Sequence, residues 1–187
     1  MMQTLTAPAP AVAPPSQLAG PPRGPVPDVT VRPLGPGDSA AVISVFAGMG
    51  PRSRALRFLV PKTRLSETEV RQLAGVDGHD HVAVVATSSG DERPVGIARF
   101  TRDLDDPTSA DLAVSVVDAW QRQGVATVML RALARHALEV GVRRFTALVS
   151  RDNDAVLALL RKTPGVARTG ADRGSLEYVV TLSETLR

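Results

Sequence analysis

From Val29 the chain alternates apolar and polar residues, Val29-Thr30-Val31-Arg32-Pro33-Leu34, a period of two that predicts a strand ended by the turn Gly35-Pro36-Gly37. Asp38 stands where an N-cap belongs, ahead of an apolar helix running to Phe46. Ser66-Glu67-Thr68-Glu69 has the spacing of a capping box and opens a short helix over Val70, Leu73 and Ala74, so the stretch from Pro51 to Val76 reads as mostly helical. Three strands follow, His81 to Thr87, Pro94 to Thr101 and Ala110 to Val117, and the polar turns between them predict an antiparallel meander. Gly124 to Val140 then sets Ala126, Met129, Leu130, Leu133, Ala137 and Val140 at helical spacing, with Gly141 as the stop. Phe145 to Val149 returns as a strand, a second helix runs from Asp152 through Leu160, and Leu176 to Leu182 forms the closing strand.

This order predicts an α/β protein of the α+β type, a mixed six- to seven-stranded sheet with helices on both faces. A length of 187 residues suits one domain. That domain is expected over 28 to 187. Residues 1 to 27 hold eight prolines and a single charged side chain, Arg23, and so offer little to bury against the entropy of ordering them; they read as an extended tail.

Composition narrows the functional classes. With 43% hydrophobic and 22% charged residues the chain is expected to fold in water. No apolar run approaches the roughly 18 to 20 residues that span a bilayer. The first fifteen residues lack a basic segment, and prolines interrupt any apolar one, so a secretory signal is not expected and the protein reads as cytoplasmic. Cysteine is absent, which removes thiolate chemistry, and His79, His81 and His136 do not have the spacing of a metal site. A net charge of +3 without clustered basic runs, and 3% aromatics, do not point to nucleic acid.

The chemistry concentrates between Val116 and Thr127, where a strand passes into the start of a long helix through small residues. Unpaired N–H groups and the positive end of the helix dipole converge there, which makes an anion site. Gly124 permits close approach, and a side chain longer than that of Ala126 would occupy the space of a phosphate. Neither G-x-x-x-x-G-K-[ST] nor G-x-G-x-x-G occurs, so the two common nucleotide-binding loops are not supported.

Gln121-x-x-Gly124-x-Ala126 resembles the [RQ]-x-x-G-x-[GA] signature of the GNAT acetyltransferases, whose loop holds the pyrophosphate of acetyl-CoA. The resemblance extends over about Val29 to Leu182 and implies the GNAT fold, with acetyl-CoA as cosubstrate and an amine as acceptor. It implies cofactor contacts from Gln121, Arg122, Gln123, Gly124, Val125, Ala126 and Thr127. Backbone contacts to the pantetheine are implied for Val114 and Val116, and Asn153 matches the asparagine of the family's second motif. Three segments, Ser53 to Phe58, Val76 to Ala86 and Val95 to Phe100, are similar to the bacterial Pat-type protein lysine acetyltransferases, which implies a protein lysine as acceptor.

A lysine amine, with a reference pKa of about 10.4, must lose a proton before it attacks a thioester, and a carboxylate in the cleft is the usual acceptor of that proton. In Pat-type enzymes a glutamate ten residues before the loop's Gln has this role. The matching position here is Asp111, one methylene shorter, which reads equally as a polar residue at a strand start. Leu160 occupies the place where the superfamily often has a tyrosine, and Tyr178 reads as a packing residue. Asp77, His79 and His81 are loop candidates at the substrate edge; His136 reads as structural and Trp120 as a plug under the loop. Two alternatives stay open: a regulatory module that binds acyl-CoA without turnover, and an acetyltransferase for a small amine.

Overall fold

The computed structural model describes residues 28–183. The tail expected over 1–27 lies outside the described residues. The elements in chain order are β1 (Val29–Pro33), α1 (Ser39–Ala47), α2 (Pro51–Phe58), α3 (Glu67–Ala74), β2 (His81–Ser88), β3 (Pro94–Arg102), β4 (Ser109–Val116), a single 3-10 turn (Asp118–Trp120), α4 (Val125–Glu139), β5 (Arg144–Ser150), α5 (Asp154–Lys162), β6 (Val166–Ala171) and β7 (Ser175–Thr181). The seven strands form one sheet in the order β1-β2-β3-β4-β5-β7-β6. Every pairing is antiparallel except β4 with β5.

The predicted helix starts are present with their chemistry. The Asp38 side chain accepts from the Ala41 N–H, and Ser66 with Glu69 completes a reciprocal capping box. α5 begins at Asp154, with Asn153 rather than Asp152 as its cap, because the Asn153 side chain accepts from the Val156 N–H. Gly141, at φ +89°, ends α4.

β2 explains the two-sided architecture. Its six consecutive residues Val82 to Thr87 are all buried. Val82, Val84 and Ala86 join Phe100, Phe145, Met129 and Leu133 in the core under α4, whereas Ala83 and Val85 join Leu34, Val42 and Ala74 under α1 and α3. Fully buried side chains such as Phe100, Met129 and Leu133 contribute about 1.5–3 kcal/mol each.

One strand escaped the sequence reading. β6 pairs with β7 at the sheet edge through a register shift between Arg168 and Gly170, and none of its residues is fully buried. No alternation of apolar residues announces it, since its backbone bonds to β7 carry it. No helix among the described residues is long and apolar enough to cross a membrane.

Candidate active site

β4 and β5 are paired at only three positions, Ser109 with Arg144, Ala110 with Phe145 and Asp111 with Thr146. Each continues to pair on its other side, β4 with β3 as far as Val116 and β5 with β7 as far as Ser150. The sheet therefore splits into a wedge that opens beyond Asp111 toward the carboxyl ends of both strands. The Val117 N–H donates across to the Val95 carbonyl on β3 at 2.9 Å. The opposite side of that peptide, the Val116 carbonyl, therefore points into the wedge, and with a two-residue period so do the backbone groups of Val114.

At the mouth of the wedge stands the start of α4. Its N-cap is Gly124, at φ +87° and with no side chain to accept a hydrogen bond. The first intrahelical donor is Val128, bonded to the Gly124 carbonyl at 3.1 Å, so the N–H groups of Val125, Ala126 and Thr127 have no helical partner. The Val125 side chain is buried and anchors the helix, while Ala126 and Thr127 remain partly open. Arg122, also in the left-handed region at φ +64°, and Gln123 are exposed, and the Gln123 amide nitrogen donates to the Ala119 carbonyl at 2.7 Å.

Gln121 faces inward instead. Its Nε2 lies 3.1 Å from Ser53 Oγ, 3.1 Å from the Val116 carbonyl oxygen and 3.0 Å from Asp118 Oδ1. Asp118 in turn accepts the Gly50 N–H at 3.0 Å through Oδ2 and donates its own N–H to the Gly48 carbonyl at 3.2 Å. A Cβ at Gly50 would fall 2.7 Å from Asp118 Oδ2, so a larger residue there would displace that carboxylate. The α1–α2 junction is thus fastened to the loop after β4. Arg52 reaches the other rim, donating to the Asp152 carbonyl at 3.3 Å, so the first turn of α2 bridges the wedge mouth. Asn153 is spent on capping α5, with Oδ1 3.2 Å from the Val156 N–H. Trp120 packs against the core under α4, as expected of a plug.

Asp111 sits at the crotch of the wedge, in a cleft of about 320 Å³ that it lines with Arg57, Phe58, Leu73, Arg99 and Thr101. No described residue gives its carboxylate a hydrogen bond or ion pair. Asp111 is open to water in the cleft, yet the walls around the carboxylate are dense enough that desolvation raises its pKa, against the opposing pull of the Arg57 and Arg99 guanidiniums. Those two arginines are held down in the same way. Burial, then Arg99, pushes Arg57 to about 10, and burial lowers Arg99, with Asp111 opposing both shifts. Arg99 donates to the Leu73 carbonyl at 3.2 Å. Neither arginine was among the candidates read from the sequence, although Arg57 and Arg99 lie inside two of the segments that carry the Pat-type resemblance.

The loop candidates at the β2 end serve a different purpose. Asp77 Oδ1 accepts the N–H groups of His79, Asp80 and His81 at 2.8, 2.8 and 2.9 Å, and these bonds, that of His81 foremost, hold its carboxyl well below the usual range. This carboxylate is a knot in the chain. His136 bonds the Gly78 carbonyl at 2.8 Å, in keeping with a structural role.

The acetyltransferase (GNAT) family matches residues 53–165, and the chain belongs to it. It is thus an acyltransferase of a family that uses acetyl-CoA as cosubstrate. It is 29% identical over 136 residues to acetyltransferase Pat of Mycolicibacterium smegmatis, a match covering 73% of this chain and 40% of that protein. An acetyltransferase of Pseudomonas aeruginosa is 28% identical over 130 residues, covering 68% of this chain and 69% of the other. Among solved structures, the GNAT domain of S. lividans PAT superposes with a TM-score of 0.73 at 27% identity, over 81% of this chain and 89% of that one.

Proposed function

We propose that this protein transfers the acetyl group of acetyl-CoA to a primary amine, a protein lysine in the first instance, within the wedge between β4 and β5. The observation that carries the reading is the coincidence of three features at one place. The strands part immediately beyond Asp111, the Val114 and Val116 backbones face the opening, and α4 begins at its mouth with unanswered N–H groups.

In this reading the N–H groups of Val125, Ala126 and Thr127, within the loop from Gln121, hold the pyrophosphate, helped by a helix dipole worth roughly half a charge. Gln121 acts from inside, fixing the loop to Ser53 and Asp118. Arg122 and Gln123 lie on its outer rim, and Asn153 keeps the α5 start in place on the opposite side. The wedge-facing backbone of β4 lies alongside the pantetheine as a missing strand would. Asp111 takes the proton of the incoming ammonium. The amine nitrogen then forms its bond to the thioester carbonyl carbon, the carbon–sulfur bond breaks so that CoA leaves as the thiolate, and the second proton of the former amine passes to water. Leu160 offers no acid to that sulfur. Desolvation of Asp111 strengthens it as a base, and an oxygen free of protein partners is available to the amine or to an intervening water.

The test is acetyl-CoA binding by calorimetry, run beside CoA release with a panel of lysine peptides and small amines. Binding together with release on lysine peptides is the expected result. Binding with no release on any amine would instead identify a regulatory acyl-CoA module, and release confined to small amines would exclude the lysine acceptor.

A further inference from the structure

Arg57 lies beside Asp111 without a hydrogen-bond acceptor among the described residues. Its guanidinium lines the Asp111 cleft and is largely covered, yet it makes no hydrogen bond or ion pair with any described residue. Its neighbours are the ring of Phe58, 5.0 Å from Cζ, the Asp111 carboxylate, and the second cation Arg99, which donates to the Leu73 carbonyl. The other carboxylate lining the cleft, Glu69, is already engaged by the Lys62 ammonium at 2.5 Å and by Ser66. Asp111 is required as a free base. Two guanidiniums thus share the cleft with one free carboxylate, and the Arg57 fork has no hydrogen-bond acceptor among the described residues.

Taking a guanidinium out of water without a partner is costly, so the cleft is organised around an anion that arrives with the substrate. A bare lysine ammonium would meet two positive charges beside Asp111 and gain nothing from them. The planar fork of Arg57 matches a carboxylate, and the net excess of one positive charge matches a single negative one. Resting on the proposed amine acetylation, we infer that the acceptor carries a carboxylate close to its amine, received by Arg57 with Arg99 behind it, while the amine is presented to Asp111. The carboxylate can belong to an acidic side chain next to a target lysine or to a small amino acid. The chemistry is shared, and the experiment separates the sources.

Two matched pairs of acceptors serve as probes: a short peptide with Lys-Glu against the same peptide with Lys-Gln, and γ-aminobutyrate against n-butylamine. Wild-type kcat/KM is expected to favour the carboxylate member by about tenfold in at least one pair, the usual scale for a charge-assisted hydrogen bond at a buried guanidinium. The pair that discriminates names the source. Arg57→Gln brings that ratio toward one, and Arg57→Lys, which keeps the charge and loses the fork, retains part of it; circular dichroism confirms that each variant is folded. Ratios near one in both pairs for an active wild-type enzyme overturn the inference. Should no acceptor be acetylated, calorimetry of the same four probes on the acetyl-CoA-saturated protein decides it without turnover. Tighter binding of a carboxylate member, lost in Arg57→Gln, supports the site even though the acetylation reading has failed. Equal or absent binding of both members overturns it.

Discussion

α1 starts under Asp38, whose carboxylate accepts the Ala41 N–H at 3.1 Å, whereas α4 starts under Gly124, which has nothing to offer. α3 and α5 follow α1, with the Ser66–Glu69 box and the Asn153 side chain answering their first-turn donors. A cap contributes about 1 kcal/mol. α4 can forgo it because it is the longest helix, at 15 residues, and is anchored by five buried side chains, Val125, Met129, Leu133, Ala134 and Ala137. The difference shows where the chain answers its own polar groups and where it leaves them for something else. The same contrast separates two aspartates, Asp77 in the loop before β2 and Asp111 on β4. Asp77 is saturated by three backbone N–H groups, while Asp111 has no bonding partner among the described residues and lies where the sheet parts.

In the proposed function anion binding falls to the start of α4 and proton transfer to the crotch of the wedge, and the largest expected effect separates the two. Asp111→Asn should lower kcat by about 10²- to 10⁴-fold, the range for loss of a general base, while acetyl-CoA affinity measured by calorimetry holds. The pH dependence follows from the sign of the shift. The reactive form is the carboxylate and burial raises its pKa, so wild-type kcat/KM should climb as pH rises through a value above the ordinary 3.8 and flatten beyond it. The Asn variant should lack that limb. Asp111→Glu, restoring the reach of the resembling enzymes, should equal or exceed the wild-type rate. An unchanged rate in the Asn variant would take Asp111 out of the mechanism.

Next in size is Gly124→Glu, which puts bulk and a negative charge where the unanswered N–H groups point. Acetyl-CoA affinity should fall at least about a hundredfold, roughly 2.7 kcal/mol. The left-handed backbone, at φ +87°, adds about 1–2 kcal/mol of strain to a domain that should still melt cooperatively. Tight binding retained by a folded Gly124→Glu protein would move the cofactor away from α4. A smaller effect is expected at Gln121, which touches the loop from within. Gln121→Ala removes the ties to Ser53, Val116 and Asp118, each worth about 0.5–1.5 kcal/mol net, and should weaken acetyl-CoA by no more than about tenfold. A loss as great as that of Gly124→Glu would mean that Gln121 contacts the ligand itself.

What could be read beforehand follows the range of the interactions. Caps, the β2-β3-β4 meander, the period of α4 and the small residues of its entry turn are local, and each carries its signal in neighbouring positions. β6 has no such signal, because Val166 to Ala171 owes its conformation to β7 and its residues pack little. Asp111 was reachable by counting back from Gln121, but its surroundings were not. Arg57, Arg99 and Asp111 come from α2, β3 and β4, and α2 is tied across the wedge by Ser53 and Arg52. Gln121 lies in the loop between the 3-10 turn and α4. Its inward orientation depends on Ser53, 68 positions away, and no spacing rule reports that.

The smallest expected effect comes from uncapping α1. Asp38→Ala frees the Ala41 N–H and should cost about 1 kcal/mol, with the exposed Arg32–Asp38 ion pair at 3.1 Å adding little. For a domain of this size that is a fall in Tm of about 2–4 °C by differential scanning calorimetry. Acetyl-CoA affinity and stoichiometry should be unchanged, because an unanswered helix start is only half of the arrangement at α4. The other half is the parted pair of strands, and α1 follows β1, which pairs with β2 along its whole length from Val29 to Pro33 and leaves no opening. Calorimetry of Asp38→Ala with inorganic pyrophosphate should therefore show no more sites than the wild type. If the variant gained one, free N–H groups alone would make the anion site, and the wedge beside Gly124 would lose its part in the explanation.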